Sequence, residues 1–375
     1  MISEIVLAAT MTAAANNITD EVRTNRRVDP AIQAAKAAKL AACKKLGPTI
    51  TDCEIVTAKD IPGQRAAFFI DDVIFVFQDL AKEKPKSIWD HFYLAAFKEA
   101  HEKYGLKVQM NIFYQGDFFY GVESAKFTLR DMPDCWKEEF QAAKDWLRFG
   151  FHSYSEFPDY PWLNSSYEDV KECWNLLAGE VERFAGPGMF AKAVVPHWGP
   201  MSKPGCRALK DLGVKFIWAS GAERYEYNGD RSLLPYMHGQ RIEERRQPET
   251  AMFWRPNSGE DISVSACAYN QITQEQFKEI FGKWKWVHDN DTGLNFAPTG
   301  GGVAPCLNLY DVKDIPPRMQ QVMACDFIIF ASHEEYWFPR YFAYQPDSKE
   351  KLMTACKVIA DAKIPFVFLE DKIRE

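Results

Sequence analysis

The chain has 375 residues, 47% of them hydrophobic and 14% aromatic, enough apolar surface for one large α/β domain or two smaller ones. Its net charge of −7, with no long basic block, leaves no footprint for a nucleic-acid partner. Nine scattered cysteines, odd in number and never spaced C-x-x-C, argue against a disulfide scaffold or a cysteine-type zinc site and predict a reducing, cytoplasmic setting. No apolar run approaches the length of a membrane span. Near the N-terminus Ile5-Val6-Leu7-Ala8-Ala9 follows Glu4 and no basic residue, a poor signal peptide.

Residues 1–60 read as an alanine-rich helical extension. Pro30 suits a helix start, and Gly47-Pro48 ends the run 31–46. Its lysines predict a solvated face, packed on the main domain or used as a homo-oligomer contact. Residues 61–375 read as a second unit in which strand and helix alternate. A strand is expected over 66–77, a helix over 87–104 ended by Gly105, and a strand over 106–114. A helix over 133–147, a strand over 149–152, and a helix over 166–184 ended by Gly186-Pro187 follow. Then come a strand over 191–195, a helix over 203–212 ended by Gly213, and a strand over 214–219. The stretch 221–309 is less regular, with strands expected at 252–255 and 262–265, a helix over 274–286 and a loop at 300–302. Regularity returns with a helix over 317–324, a strand over 326–331, a helix over 348–362 and a strand over 365–369. Alternation of this kind predicts a parallel sheet with helices outside it. Roughly seven or eight units fit a distorted (β/α)7-type barrel better than an open doubly wound sheet, and no G-x-G-x-x-G follows the first strand.

The chemistry is expected at the C-terminal ends of such strands. The run Phe68-Phe69-Ile70-Asp71-Asp72-Val73-Ile74 places two carboxylates in an otherwise apolar strand. Burying them without a cation or a proton is costly. Later strand ends carry His152, Ser153 and Glu156, then His197 and Trp198, then His333, Glu334 and Glu335, then Glu370 and Asp371. An Asp, a His and a Glu converging on one point suit a divalent ion bound through nitrogen and oxygen: zinc, cobalt, nickel, iron or manganese. Such an ion lowers the pKa of water and polarises a carbonyl, while a nearby carboxylate and histidine exchange protons. Aromatics crowd the same loops. Trp162, Trp198, Tyr336 and Trp337 are candidates to stack on a sugar, His197 is a further substrate contact, and Arg255 is a candidate clamp for a carboxylate or oxyanion. His91 and His101 fall on an expected helix and read as structural.

In this order the motifs resemble the polysaccharide deacetylase (NodB-like, carbohydrate esterase family 4) superfamily. Its first motif ends in Asp-Asp on strand one, here Phe69-Ile70-Asp71-Asp72, and the resemblance implies Asp71 as base and Asp72 as metal ligand. Its second motif is His-Ser/Thr-x-x-His. Here His152-Ser153-Tyr154-Ser155-Glu156 matches at His152, implying a ligand, while Ser155 stands at the second histidine and Glu156 is the expected replacement. Its last motif, Leu-x-x-His, corresponds to Phe330-Ala331-Ser332-His333 and implies His333 as the catalytic acid. The arginine of the third motif is absent, with Pro196-His197-Trp198 at that strand end, and so is the Asp-x-x-Asp-Trp motif.

The resemblance implies one divalent ion, zinc first among the candidates, and hydrolysis of an N- or O-acyl group from a carbohydrate or related small molecule by metal-activated water. Two alternatives stay open: a non-catalytic glycan- or ligand-binding barrel, and a metal-free glycoside hydrolase using a carboxylate pair.

Overall fold

The computed structural model describes residues 30–42, 45–48, 50–59, 61, 63–119, 122–156, 161–162, 165–197, 199, 201–219, 224–225, 271–298, 306–341 and 344–372. The centre of the molecule is a four-stranded parallel sheet in the order β13-β3-β4-β7, made by β3 (Arg65–Val73), β4 (Val108–Phe113), β7 (Leu147–Ser153) and β13 (Phe327–His333). Beyond β7 the chain continues into β8 (Ala193–Val194), docked by a parallel bridge between Phe149 and Phe190 and by the His197 N–H donating to the His152 carbonyl. Then β9 (Phe216–Ala219) and β12 (Asn295–Pro298) continue in parallel, while β11 (Lys285–Asp289) and β2 (Cys53–Thr57) add antiparallel.

The alternation along the strands shows how the sheet curls. Ala66, Phe68 and Ile70 of β3 face the large core beneath the helices. Ala67 and Phe69 point to the other side, where they meet Ala193 and Val195 of the β8 segment and Phe327, Ile329 and Ala331 of β13. β8 is not a hydrogen-bonded neighbour of β3 or β13, so side chains from these strands touch only because the sheet bends round on itself. Both faces are therefore buried, as expected of parallel strands in an α/β fold. Among the described residues the ladder is not continuous around this curl.

The helix α1 (Pro30–Ala42) comes first in the chain, and its described side chains are exposed. The helices that follow cover the outer face: α2 (Phe75–Glu83), α3 (Phe92–Tyr104), α4 (Lys137–Ala143), α5 (Tyr167–Ala185), α6 (Lys203–Asp211), α7 (Gln274–Ile280), α8 (Ile315–Val322) and α9 (Ser348–Asp361). Their ends follow local chemistry. Ser166 with Asp169 and Thr273 with Gln276 close capping boxes on α5 and α7. Gly105 ends α3 at φ 71°, where a Cβ would be strained. None of the helices among the described residues is long and apolar enough to cross a membrane, and no disulfide joins the described cysteines.

Several elements differ from the sequence expectation. The apolar run 66–77 is strand only to Val73; from Phe75 it is helix. A continuous apolar run carries no period to separate the two. Residues 53–57, assigned from sequence to a helical extension, are an edge strand of the second sheet. The expected helix 274–286 stops at Ile280, and its tail becomes β11. A hairpin of β5 (Gln115–Phe119) and β6 (Val122–Thr128) lies in a region given no strand. Two-residue β1 (Lys45–Leu46) pairs with β10 (Arg224–Tyr225). Residues 1–29, the strands expected at 252–255 and 262–265, and the loop at 300–302 lie outside the described residues.

Candidate metal centre

The site forms where β3, β7 and β13 end. β3 does not end cleanly. Its register with β4 slips between Ile70 and Val73, and Asp72 sits in the left-handed region at φ 63°. A non-glycine residue there is uncommon and held by its surroundings. The bulge re-aims the side chain, so Asp71 and Asp72, adjacent in sequence, serve different neighbours.

Asp72 meets two imidazoles. Its Oδ1 lies 3.0 Å from His152 Nε2 and 3.4 Å from His197 Nδ1, and the two ring nitrogens are 3.1 Å apart. One carboxylate oxygen and two imidazole nitrogens thus lie within 4.8 Å of one another, all from buried residues. Each histidine is held from behind by a main-chain oxygen. His152 Nδ1 bonds the Val195 carbonyl at 2.7 Å, and His197 Nε2 bonds the Glu156 carbonyl at 3.0 Å. In a neutral ring the nitrogen facing a carbonyl carries the hydrogen and the nitrogen facing Asp72 carries the lone pair that an ion would use; a protonated ring donates to Asp72 from that same nitrogen. Metal-ligating histidines are commonly held in this way, with the ring nitrogen away from the ion donating to a carbonyl that fixes tautomer and orientation. The Phe113 ring lies against both imidazoles, 5.3 Å from His152 and 5.0 Å from His197. Two imidazole nitrogens and one carboxylate oxygen fit a divalent ion of the zinc type.

The electrostatics follow from burial and proximity. Burial alone pushes the Asp72 carboxyl up, but the hydrogen bonds from His152 and His197 outweigh it and hold the group well below the usual range. Burial lowers His197 to about 4, partly opposed by Asp72 and reinforced by His152. His152 is burdened by burial too, yet Asp71 and Asp72 together raise it. Asp71 is raised, chiefly by burial, with His152 and His333 opposing.

Asp71 and His333 face one another across the β3–β13 ladder, where they are paired in register. Asp71 Oδ1 accepts from Asn111 Nδ2 at 2.6 Å. Asn111 Oδ1 in turn accepts from Gln109 Nε2 at 2.7 Å, and Gln109 also donates to the Ala193 carbonyl. Gly150 of β7 makes room for this inner polar line: a Cβ there would strike the side chains of Asn111 and Gln109. His333 Nδ1 lies 3.2 Å from Asn308 Oδ1 and 3.4 Å from the Cys306 thiol.

The two glutamates after His333 take no part in the donor triad. Glu334 accepts backbone N–H groups of Ile74, Phe75 and Val76. Burial pushes it up to about 8 against those three donors. Glu335 is 3% exposed, its Oε2 has no hydrogen-bond partner among the described residues, and burial together with Asp72, Glu156 and Glu334 raises its carboxyl far above the usual range.

The remaining sequence candidates sort by burial. Glu156, expected as the third donor, is replaced in that position by His197. Its carbonyl supports the His197 ring, and its Oε2 stays 3.7 Å from His197 Nε2. The chain crosses from β8 back over His152, and that brings His197 in from the neighbouring strand end. Trp162, Tyr336 and Trp337, expected to stack on a ligand, are core residues instead, at 2%, 0% and 4% exposure. Trp162 Nε1 donates to the His152 carbonyl at 2.8 Å, and Trp337 packs on Tyr93 and Phe97. Trp198 and Arg255 lie outside the described residues. Asn111 was not expected in the site, while Glu334 and Glu335 were visible as strand-end acids without an assigned role. Asn111 had a usable signal, an amide two residues from another polar residue in an apolar strand.

Comparison with known proteins gives distant structural likeness only. No family model matches the sequence, and no curated protein matches it. Solved structures similar to this chain include two of the expected class. One is the Xyl-CE4 domain of a multidomain xylanase from the hindgut metagenome of Trinervitermes trinervoides, with a TM-score of 0.37 and 8% identity, covering 83% of this chain and 90% of that one. Another, assigned as a polysaccharide deacetylase from Mycobacterium smegmatis, has a TM-score of 0.43 and 8% identity, covering 85% and 91%. A 4-alpha-glucanotransferase from Thermococcus litoralis has a TM-score of 0.45 and 11% identity, covering 83% of this chain and 40% of its own. None reaches a TM-score of 0.5, so the chemistry rests on the side chains alone.

Proposed function

We propose that the protein is a metal-dependent hydrolase that removes an N- or O-acyl group from a carbohydrate or related small molecule. The observation that carries this reading is the Asp72, His152 and His197 group: three donors from three strand ends, with both imidazoles set in tautomer by main-chain oxygens. A buried carboxylate between two imidazoles is poor design for stability alone, since desolvating charged groups is costly. It is good design for holding a cation. When bound, a divalent ion supplies Lewis acidity toward an acyl carbonyl and lowers the pKa of water.

The chain's own residues then divide the proton work. Asp71, not tied to the two imidazoles, takes a proton from the attacking water, and Asn111 fixes the carboxylate that does so. Its raised pKa suits a base working nearer neutrality than an exposed aspartate would. His333, half-buried opposite Asp71, delivers a proton to the leaving group. With Nδ1 turned to Asn308, Nε2 is the nitrogen that gives it. Trp198 and Arg255 keep their sequence-derived roles as substrate contacts.

Metal analysis of the purified chain is expected to find about one divalent ion, and hydrolysis in a panel of acetylated sugars is expected to stop in chelator and return with zinc or cobalt. Turnover that continues unchanged in a chelated, metal-free protein would refute the proposal.

A further inference from the structure

We infer that Glu334 is the positioning residue for Asp72, locking the Asp71-Asp72 turn into the one shape in which Asp72 reaches both imidazoles. The inference rests on the metal-site reading above. It begins with a mechanical problem. Asp72 is a non-glycine residue at φ 63°, the β3–β4 register has already slipped, and the chain turns into α2 within three residues. The residue at the helix start, Ile74, has no side chain able to cap it. The first N–H groups of α2 therefore need a partner from elsewhere, and none is available locally.

Glu334 supplies it from about 260 residues away. Its Oε2 accepts from Ile74 N and Phe75 N, both at 2.6 Å, and its Oε1 from Val76 N at 3.0 Å. Its own N–H donates to the Asp71 carbonyl at 3.0 Å. One residue thus grips the turn on both sides: before Asp72 through its main chain, after Asp72 through its carboxylate. A carboxylate at a helix N-terminus also meets the positive end of the helix dipole. Glu334 is 0% exposed, so bulk solvent does not share these three donors with it. A Gln keeps one acceptor oxygen but turns an NH2 group toward a backbone N–H. An Ala keeps neither acceptor.

The test is the metal affinity of the folded apo protein, read as zinc and cobalt dissociation constants and as the cobalt visible spectrum, in wild type, Glu334→Gln and Glu334→Ala. The expected result is a loss of about 10- to 100-fold in affinity for Glu334→Ala, a smaller loss for Glu334→Gln, and a changed cobalt spectrum in both. A cap that serves stability alone lowers Tm and leaves the affinity of the folded fraction unchanged; that result overturns the inference. If Glu334→Ala does not fold, Glu334→Gln decides by itself. A wild-type chain that binds neither ion sinks the metal reading, and amide exchange in the apo protein then decides the clamp separately. Faster exchange at Phe75 and Val76 in Glu334→Gln supports it, and unchanged exchange overturns it.

Discussion

Two pairs of adjacent acids stand side by side at the ends of neighbouring parallel strands, Asp71-Asp72 after β3 and Glu334-Glu335 after β13. His333 is paired in register with Asp71, and all four acids are at least nine-tenths buried. Within each pair one carboxyl is fully engaged and the other is not. Asp72 is held by two imidazoles and Glu334 by three backbone N–H groups. Among the described residues Asp71 has one amide donor, while Glu335 Oε2 has none. The same sequence feature, two charges closing an apolar strand, is thus answered by a candidate cation site in one case and by a helix N-terminus in the other. The engaged member of each pair builds the site. On the proposed mechanism the under-engaged Asp71 is the one that exchanges a proton.

The largest expected effect separates the two members of the first pair. Asp72→Ala removes the only carboxylate among the three donors, and is expected to bring metal content to background and abolish hydrolysis. Asp71→Asn keeps the shape and can still accept from Asn111. It is expected to retain about one ion per chain while turnover falls about 10²- to 10⁴-fold. If both variants lose the ion alike, the division of labour between Asp71 and Asp72 is gone.

The second pair gives a smaller effect of opposite sign. Glu335 has a folded-state pKa raised by burial and by Asp72, Glu156 and Glu334. The native state therefore binds a proton that the unfolded state releases above its ordinary value, and this group costs stability as pH rises through that window. Glu335→Gln removes the cost and offers N–H donors to the surrounding carboxylates. The apo variant is expected to be more stable at neutral pH by on the order of 1 kcal/mol, with the gain shrinking toward pH 4.5, the ordinary value of the group. A loss of stability instead, constant with pH, would make Glu335 as structural as Glu334.

How much of this was legible in the sequence depends on whether a residue's partner is set by its own element. The parallel strands were, because β-branched and aromatic runs alternated with helical stretches, several of them ended at Gly. So were Asp72, His152, Asp71 and His333, which close those runs. His197 was visible as a strand-end histidine but not as the third donor, because that role depends on the chain folding back so that its N–H meets the His152 carbonyl. Glu334 is the extreme case: nothing near residue 334 indicates that its partners are residues 74–76. The aromatic candidates failed for a different reason. Trp162, Tyr336 and Trp337 sit in loop-like sequence, yet large rings beside a site serve equally well as its wall and its foundation, and here they are foundation.

The most local test concerns the imidazoles inside the first pair's surroundings. Burial lowers His197 to about 4, so the folded state binds fewer protons than the unfolded state between that value and 6.5. Stability from this group is lost as pH falls through that window, by about 3 kcal/mol at most. His152 is raised above 6.5 by Asp71 and Asp72. Its contribution is fully present below 6.5 and is lost as pH rises through its folded value. The two windows adjoin and do not overlap, so denaturation curves of the apo protein are expected to show the stability from this pair greatest near pH 6.5, falling on the acid side through His197 and on the alkaline side through His152. Residue-resolved titration separates them: in the apo protein the His197 ring is expected to stay neutral down to the low end of its window, while the His152 ring titrates above 6.5. Zinc uptake at pH 6.5 then displaces protons mainly from His152 and hardly any from His197, measurable as buffer-dependent heats of binding. Two rings titrating together at the ordinary histidine value would mean that neither is held as the Val195 and Glu156 carbonyls hold them here, and the candidate centre would lose the feature that distinguishes it from a chance cluster.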